Sequence, residues 1–485
     1  MAKNLSYRHI LKYTGVFGGI QVISVLASVL RNKAAALLID RYGQGISDLF
    51  NSTVNLINSA TTLVVPVAIV RRISFLYEKF GMSSISVVHS IRVMRSWSIL
   101  TGLIGSLLVM LCSPLLSRAT CDTNTFTKSY FLLSPMLLML SVNGTEIAIL
   151  KATRQLKQLA TASIIGSIAT LVICVLCYYL WSIGGIVVSL NVSLFVVTLL
   201  NVRYSTRYFP YKVSPFLGRV LLQGKPLIKL GISFLLASLA AALSETLIRT
   251  YISHSGSIEN VGLYAAGFAL TVTYTRFIFN AMDADYYPHL SGICNDKTLM
   301  NNAINKQISI CVQLIVPCLL IFALLSPAII KLLYTEKYLE IVPMIIFATP
   351  YMFCKAIVTP IAYTALAKSD SGMYLAVEII SAVVLGICVI IGYELYDLTG
   401  CGIGLSVSNA IETAMITTIY HKRYGVIIHR QTALVVLLQL ALFTMGTSYI
   451  AFCNNPIVKV AVVFTAIVFS TSIFIFSINK NNSAK

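Results

Sequence analysis

Long apolar runs, separated by short polar connections, occupy almost the whole of the 485-residue chain. Most of these runs reach the roughly 20 residues that a helix needs to cross the hydrocarbon core of a bilayer. The pattern therefore predicts an all-α, polytopic membrane protein with about fourteen transmembrane helices. The predicted segments are 10–38, 46–70, 91–116, 128–150, 158–181, 183–202, 227–252, 261–285, 306–333, 341–366, 371–393, 401–420, 431–452 and 456–478.

The first two predicted helices form an apolar hairpin whose pattern returns in the second half of the chain. Several matches in the same order, at offsets of about 215 residues, indicate an internal duplication. Many transporters are built as paired repeats around a central site, so the duplication favours a transport function. The aligned positions are Ile10-Leu11-Lys12 with Leu227-Ile228-Lys229, Gly45 with Gly262, Ser113-Pro114 with Ser326-Pro327, and Ser134-Pro135 with Thr349-Pro350.

Basic residues are concentrated in alternate connections between the apolar runs. The positive-inside rule then places both termini in the cytoplasm. The largest connection, 203–226, is basic and contains three prolines, and we interpret it as a cytoplasmic linker. We accordingly expect an N-terminal six-helix bundle over 1–202 and a parallel six-helix bundle over 227–423. Two appended helices and a short tail complete the chain over 424–485.

The composition excludes a soluble protein. The chain is 57% hydrophobic and 11% charged, with a mean hydropathy of +0.84, whereas soluble proteins carry about 25% charged residues. The net charge of +19 is explained by the basic connections, so we expect no nucleic-acid partner. The first helix is too long for the apolar region of a cleavable signal peptide. The eleven cysteines lie mostly within apolar helices and indicate no disulfide framework, metal site or cofactor.

Two short motifs of soluble enzymes lack the context that their chemistry requires. Gly224-Lys225 is followed by Pro226 instead of the Ser or Thr of a phosphate-binding loop, and no strand precedes it. Asp283-Ala284-Asp285 has the DxD form of some glycosyltransferases, but it ends a membrane helix with no catalytic domain attached. We therefore predict that the protein is not an enzyme.

Charged residues inside the predicted helices are the candidate functional residues, because charge within a bilayer is costly and usually faces a cavity. Glu245 and Arg249 are spaced i, i+4 and can pair on one helix face, so a purely structural role stays open for them. Lys355 and Arg276 have no partner nearby in sequence, which favours a cavity role. The substrate-binding candidates are Arg31, Lys33, Arg249, Arg276 and Lys355, and the ion-coupling candidates are Glu245, Asp283 and Glu412.

Other charges fall near predicted helix ends. Arg92 and Arg95 belong to a cytoplasmic basic cluster. Glu146 and Glu378 lie close enough to cytoplasmic helix ends to reach the membrane interface. We assign no substrate role to these four residues.

The opening of the chain, ILKYTGVFGGIQVISVLASVLRNKAAALLIDRYGQGISDLFNSTVNLI, resembles the start of bacterial O-antigen and polysaccharide flippases. These belong to the multidrug/oligosaccharidyl-lipid/polysaccharide (MOP) exporter superfamily. A basic first helix, a glycine-containing turn and a second helix rich in Leu, Ser, Thr and Asn carry the resemblance. The turn reads Ile39-Asp40-Arg41-Tyr42-Gly43-Gln44-Gly45, where family members often have a Leu-Gly-Pro-like sequence.

The resemblance implies a V-shaped transporter of two six-helix bundles with a cationic central cavity. It implies translocation of an undecaprenyl-pyrophosphate-linked oligosaccharide to the periplasmic leaflet of the bacterial inner membrane, by alternating access and with H⁺ or Na⁺ coupling. Polysaccharide-assembly proteins and membrane lipid are the other implied partners. The alternatives are a cation-coupled multidrug exporter, a cell-wall lipid precursor flippase and a polysaccharide polymerase. The basic intramembrane balance counts against cationic drugs, and the short outer loops count against a polymerase.

Overall fold

The computed structural model describes residues 24–483, apart from 25, 63–68, 71, 75, 78–83, 154, 214–216, 274–285, 288, 369 and 454. Throughout these residues the chain is helical, with short turns and no strand. Eight of the helices in this part of the chain are long and apolar enough to cross a membrane. The prediction of an all-α, polytopic membrane protein is therefore confirmed.

The helices form two compact units, Met1–Glu259 and Asn260–Lys485. Helix α8 begins at Leu217, within the segment interpreted as a linker, and the predicted bundle and linker boundaries stay predictions. The first unit contains α1 (26–38), α2 (Asp40–Thr61), α3 (Ile85–Cys121), α4 (Thr127–Leu133), α5 (Pro135–Ala152), α6 (Leu156–Trp181), α7 (Gly185–Thr206) and α8 (Leu217–Ser255). Helix α9 (Ile258–Phe268) begins at the boundary, and the second unit continues with α10 (Lys297–Leu333), α11 (Val342–Ala367), α12 (Ser371–Tyr424), α13 (Arg430–Phe452) and α14 (Pro456–Ser483).

Helix α12 is a hairpin of two antiparallel helices. Its helical geometry is broken at Tyr396 and at Asp397, which has φ 54° and ψ −138°. The chain folds back so tightly that a side chain on Gly400 would collide with the backbone of Gly392. When the two halves of α12 are taken separately and α4 with α5 is taken as one segment, each of the fourteen predicted segments contains a helix among its described residues. Residues 10–23, 63–68 and 274–285 of these segments lie outside the described part of the chain.

The connection between α6 and α7 is the same kind of turn. Ser182 has φ 48° and ψ −127°, close to the values at Asp397, which lies about 215 residues further along. A side chain on Gly185 would collide with the backbone of Cys177, as Gly400 would with Gly392. This repeated turn supports the internal duplication that the sequence indicates.

Each unit has an equivalent hydrogen bond that holds the second helix of its hairpin against a neighbouring helix. The Asn191 amide donates to the carbonyl oxygen of Leu132 over 3.1 Å, and these residues are 59 positions apart. The Ser406 hydroxyl donates to the carbonyl oxygen of Phe347 over 2.5 Å, again 59 positions apart. The two units therefore keep an equivalent helix contact although the donor residue differs.

Local sequence signals explain where several helices begin. Asp296 caps α10, where its carboxylate accepts hydrogen bonds from the backbone N–H groups of Thr298 and Leu299. Pro135 begins α5, because proline lacks the N–H that a continuous helix with α4 would use. Helix α2 begins at Asp40, six residues before the predicted start of its segment, because the turn after α1 is confined to Ile39.

Candidate substrate and coupling sites

An ion pair in the second unit joins two of the sequence candidates. The Lys355 ammonium on α11 donates to both carboxylate oxygens of Glu412 on the second half of α12, over 2.9 and 3.1 Å. The Asn409 side-chain amide also donates to this carboxylate over 3.1 Å. Lys355, which has no partner nearby in sequence, therefore has one 57 positions further along the chain.

The pair borders a cavity of about 390 Å³, which we name the Lys355 pocket. The side chains of Lys355 and Glu412 are 26% and 15% exposed, so small ions and ligand groups in the cavity can reach both. The ammonium also lies 5.7 Å from the centroid of the Tyr351 ring, within the range of a cation–π contact. The remaining polar lining consists of Thr359, Tyr363, Tyr374, Glu378 and Tyr420.

A polar cluster ties the loop before α12 to the end of the same hairpin. The Asp370 carboxylate accepts hydrogen bonds from the backbone N–H of Met373, the Tyr424 hydroxyl and the Arg423 guanidinium. Burial alone would raise the pKa of Asp370, but these three donors outweigh it and hold the pKa below its ordinary value. The cluster closes the helical hairpin at its open end.

A cavity of about 330 Å³ in the first unit, which we name the Arg31 pocket, lies among α1, α5, α6 and α7. Arg31 contributes its positive charge, and no Asp or Glu is among the described residues that line it. Apart from an electrostatic interaction with Tyr178, Arg31 makes no hydrogen bond or ion pair with the residues that the structure describes. Arg31 and Lys355 thus both border cavities, and among the described residues Lys355 has a carboxylate partner there whereas Arg31 has none.

The predicted Glu245–Arg249 pair on α8 is present, although a second carboxylate shares the arginine. The Arg249 Nη1 atom lies 3.4 Å from the Glu245 carboxylate, and its Nε atom donates to Asp48 on α2. Arg249 is 6% exposed, whereas Glu245 is on the surface of the unit. Asp48 was absent from the sequence candidates because it lies 201 positions from Arg249.

A fully buried ion pair of the first unit was also absent from the sequence candidates. The Arg95 guanidinium on α3 donates two hydrogen bonds to the Glu146 carboxylate on α5, over 2.7 and 2.9 Å. The exposed fractions are 1% for Arg95 and 0% for Glu146. The interpretation of Glu146 as a carboxylate that reaches the interface is wrong, because its side chain is sealed by Arg95 and by Ser205. Arg95 is buried as well, and its placement on the cytoplasmic side stays a prediction.

The same guanidinium anchors the segment that follows α7. Arg95 donates to the carbonyl oxygens of Phe209 and Pro210 over 3.0 Å each, and it lies 4.7 Å from the centroid of the Tyr211 ring. Burial and the Glu146 carboxylate raise the pKa of Tyr211, against the opposing effect of Arg95. The arrangement fixes the chain as it leaves α7.

Three sequence candidates remain. Lys33 lies on α1 and is half-buried. Arg276 and Asp283 lie outside the described residues. Among the residues that are described, no group of three or more His, Cys, Asp or Glu side chains is arranged to hold a metal ion.

Solved structures show which class of protein has this fold. An inward-facing multidrug resistance MATE family transporter of the MOP superfamily matches with a TM-score of 0.69 and 14% identity, over 83% of this chain and 94% of that one. The lipid II flippase MurJ, in an inward closed conformation, matches with a TM-score of 0.68 and 15% identity, over 96% and 99%. A MOP superfamily transporter from Pyrococcus furiosus, described as having a binding pocket of reverse polarity, matches with a TM-score of 0.60 and 14% identity, over 85% and 96%. The chain thus has the fold of MOP superfamily transporters.

The family assignment is narrower than the fold. The sequence profile of the family described as polysaccharide biosynthesis protein matches residues 82–343, which is more than half of the chain. The protein therefore belongs to the polysaccharide biosynthesis protein family. No curated protein sequence matches it.

Proposed function

We propose that the protein is a flippase that moves an undecaprenyl-pyrophosphate-linked oligosaccharide, an O-antigen or capsular repeat unit, from the cytoplasmic to the periplasmic leaflet of the bacterial inner membrane. One observation carries the proposal: a member of the polysaccharide biosynthesis family shares its fold, along 96% of its length, with a structure described as a lipid II flippase. Both termini are cytoplasmic in this proposal, and polysaccharide-assembly proteins supply and consume the substrate.

The charges in the described cavities support this substrate class. A pyrophosphate with a sugar chain cannot cross hydrocarbon unaided, because each buried polar group without a partner costs about 2–7 kcal/mol. Cationic side chains supply charge-assisted hydrogen bonds to phosphate oxygens. Lys355 and Arg31 both border cavities, so they are the described residues best placed to supply them.

We assign the coupling step to the Lys355–Glu412 pair. A proton or Na⁺ on Glu412 would neutralise the carboxylate and release the Lys355 ammonium for the anionic substrate, so the two ligands would favour each other's binding. Glu378 and the tyrosines at positions 351, 363, 374 and 420 also line the Lys355 pocket, and Cys354 lies beside the pair. These groups set the electrostatic surroundings in which Glu412 takes up the cation and Lys355 binds the substrate.

The other sequence candidates are assigned different roles. Arg249 is occupied by Asp48 and Glu245, so we assign Arg249 and Glu245 to holding α8 against α2 rather than to substrate or ion binding. Lys33 and Arg276 stay proposed substrate ligands. Asp283 stays a proposed coupling residue.

Deletion of the gene, followed by analysis of surface glycan and lipid-linked intermediates, tests the proposal. A flippase defect abolishes surface glycan and leaves complete single repeat units on the cytoplasmic face of the membrane. Single units on the periplasmic face would indicate a polymerase instead. Unchanged glycan with altered drug sensitivity would indicate a multidrug exporter and overturn the proposal.

Complementation with variants tests the assigned pair. Lys355→Gln and Glu412→Gln should each fail to restore glycan, whereas Arg203→Gln, which changes an exposed arginine on α7, should restore it. The exchanged variant Lys355→Glu/Glu412→Lys keeps an ion pair but moves the cation to the opposite helix. It should fold and still fail to restore glycan. Full restoration by the exchanged variant would reduce the pair to a structural role.

A further inference from the structure

The segment that joins α12 to α13 is held along the first turns of α10 by two asparagine side chains. The Asn301 amide donates to the Gly425 carbonyl over 3.1 Å, and its oxygen accepts from the Ile427 N–H over 2.8 Å. The Asn305 amide donates to the Ile427 carbonyl over 2.7 Å, and its oxygen accepts from the His429 N–H over 2.7 Å. Both asparagines are buried. The backbone of the segment is therefore fixed against α10.

Four basic side chains flank this segment and form what we name the basic surface. They belong to α10, to the end of α12 and to the start of α13, and they are Lys297, Lys306, Lys422 and Arg430. All four are exposed, and none makes a hydrogen bond or an ion pair with the residues that the structure describes. A β-carbon on Gly425 would touch the Lys297 side chain, so this lysine lies directly beside the fixed segment.

Acidic residues are missing from the sequence around the basic surface. Residues 297–335 contain no Asp or Glu, and none occurs after Glu412. Two acidic residues close by have other partners, since Asp296 caps α10 and Asp370 accepts a hydrogen bond from Arg423. The basic surface therefore keeps its positive charge for a partner outside the chain.

The basic surface lies where α10 and α13 enter the apolar part of the membrane. Helix α10 has 37 residues and a length of about 55 Å, whereas the hydrocarbon core is about 30 Å thick. Its apolar run begins at Ile308, so its polar first turns project beyond the hydrocarbon. Lys306 and Arg430 directly follow the hydrogen-bonded residues Asn305 and His429. They therefore lie at the same level on the two helices, at the depth of the lipid headgroups.

Apolar side chains are exposed beside these cations. Leu299 on α10, Ile427 in the fixed segment and Leu434 at the start of α13 are each 51% exposed. A free phosphate ion gains nothing from apolar neighbours, whereas a phospholipid brings acyl chains together with its phosphate. This mixture of cations and apolar side chains suits an anionic lipid at the membrane interface.

From this arrangement we infer that the basic surface binds the headgroup of an anionic glycerophospholipid of the surrounding membrane, with the phosphate between Lys306 and Arg430. Lys297 and Lys422, further out along the segment, add to the attraction. The positive-inside rule accounts for basic residues in such a connection but not for a backbone that is fixed between them. The inferred lipid stays in the membrane, so the inference goes beyond the proposed function and does not depend on the proposed substrate.

Titration of the full-length protein with phosphatidylglycerol, in a neutral detergent and with bound lipid counted by native mass spectrometry, tests the inference. Phosphatidylcholine with the same acyl chains is the control for a headgroup without net charge. Inorganic phosphate, added as a competitor, separates a lipid from a free anion. We expect phosphatidylglycerol to bind more tightly than phosphatidylcholine and to resist displacement by inorganic phosphate. Equal affinities for the two lipids would overturn the inference, as would ready displacement by phosphate.

Variants place the binding at the basic surface. Each basic side chain near a membrane surface strengthens the binding of anionic lipid by about fivefold, so Lys306→Gln should weaken phosphatidylglycerol binding by about that factor. Lys306→Gln/Arg430→Gln should weaken it by about twenty-five-fold. The matched control is Lys157→Gln/Arg203→Gln, which removes two exposed cations of the first unit and should leave the affinity unchanged. An equal loss in the control would show that the lipid follows net charge rather than a site, and would overturn the inference.

Undecaprenyl phosphate, used as a competitor, separates this inference from the proposed function. Weaker competition than by unlabelled phosphatidylglycerol supports a site for membrane lipid. Displacement of phosphatidylglycerol by undecaprenyl phosphate at the lower concentration of the two would assign the basic surface to the lipid carrier and overturn the inference. Failure of phosphatidylglycerol to bind leaves the proposed function untouched, because that function is tested by where lipid-linked intermediates accumulate.

Discussion

The two units use equivalent helices but place their ion pairs at different positions. In the first unit the pair is Arg95 with Glu146, sealed from solvent. The corresponding positions about 215 residues later hold Ile308 and Ile361, and both isoleucines are buried. The equivalent helices thus accept an ion pair in one unit and two apolar side chains in the other.

At a second pair of positions the ion pair lies in the second unit and the apolar residues lie in the first. The Lys355–Glu412 pair of the second unit corresponds to Leu140 and Val197 of the first. This pair borders a cavity, whereas the Arg95–Glu146 pair borders none that we describe. A charge pair that a cavity can reach is available for exchange with ligands or ions, while a sealed pair contributes to stability and shape. The comparison therefore separates the ion pair for which we propose a function from a sealed pair at other positions of the duplicated helices.

The largest expected effect comes from breaking the sealed pair. Arg95→Ile leaves the Glu146 carboxylate buried without its cation, which should lower the free energy of unfolding by about 3–5 kcal/mol. The double variant Arg95→Ile/Glu146→Ile copies the residues of the second unit and should recover most of that loss. Recovery stays incomplete because the carbonyl groups of Phe209 and Pro210 still lose their donor. Thermal unfolding of the purified variants in detergent measures the difference.

The matched control is Arg203→Ile, which removes an exposed arginine and should change stability little. A double variant as unstable as Arg95→Ile alone would contradict the comparison. It would mean that the helices of the first unit cannot accept the apolar pair of the second unit.

The helices themselves could be predicted from sequence because each is long, apolar and bounded by polar turns. The turn residues of the two tight hairpins, Ser182 and Asp397, each lie in the gap between two predicted segments. The start of α2 was less predictable, since a turn confined to Ile39 leaves no polar loop to mark it. The positive φ of Asp40 is a backbone property that the local sequence does not specify.

The residues of the candidate site could be predicted from the sequence, but their pairing into ion pairs could not. Lys355 and Glu412 each stand out as a charge within an apolar segment, but their pairing depends on two helices 57 positions apart packing together. Arg95 and Glu146 were missed because each lies near the end of a predicted segment, 91–116 or 128–150, where charges are usually solvated. The duplication offered the missing signal, since their counterparts Ile308 and Ile361 are apolar.

A smaller effect is expected at the loops that precede the two hairpins. Asp370 caps α12 through the backbone N–H of Met373, whereas its counterpart Gln155 makes no capping hydrogen bond from its side chain to α6. Asp370→Ala should therefore lower the free energy of unfolding by about 1 kcal/mol at neutral pH. Gln155→Ala should change it less. Thermal unfolding of both variants provides the measurement.

The pH dependence of this effect follows from the lowered pKa of Asp370. The carboxylate stabilises the fold fully above its ordinary pKa of 3.8, and the contribution disappears as the pH falls through the lower folded-state pKa. The stability gap between the unaltered protein and Asp370→Ala should therefore be constant from pH 7 to pH 5 and narrow below 3.8. A gap that widens on acidification would contradict the assignment.

The smallest effect tests whether the two hairpin turns are equivalent. Ser182 and Asp397 both occupy a region of positive φ that costs a residue with a side chain about 1–3 kcal/mol. Glycine removes this strain but gives the unfolded chain more freedom, so Ser182→Gly should stabilise the protein by less than about 1 kcal/mol. Asp397→Gly should gain less, because it also loses a hydrogen bond with the Tyr393 side chain.

Alanine at these positions separates strain from the loss of a side-chain contact. Ser182→Ala retains the β-carbon and therefore the strain, so its unfolding temperature should stay close to that of the unaltered protein. Asp397→Ala retains the strain and loses the contact with Tyr393, so it should be less stable than the unaltered protein. Equal unfolding temperatures for Ser182→Ala and Ser182→Gly would show that the turn stores no relievable strain. The repeated dihedral angles would then reflect the close packing of each hairpin at Gly185 and Gly400 rather than a cost carried by the turn residue.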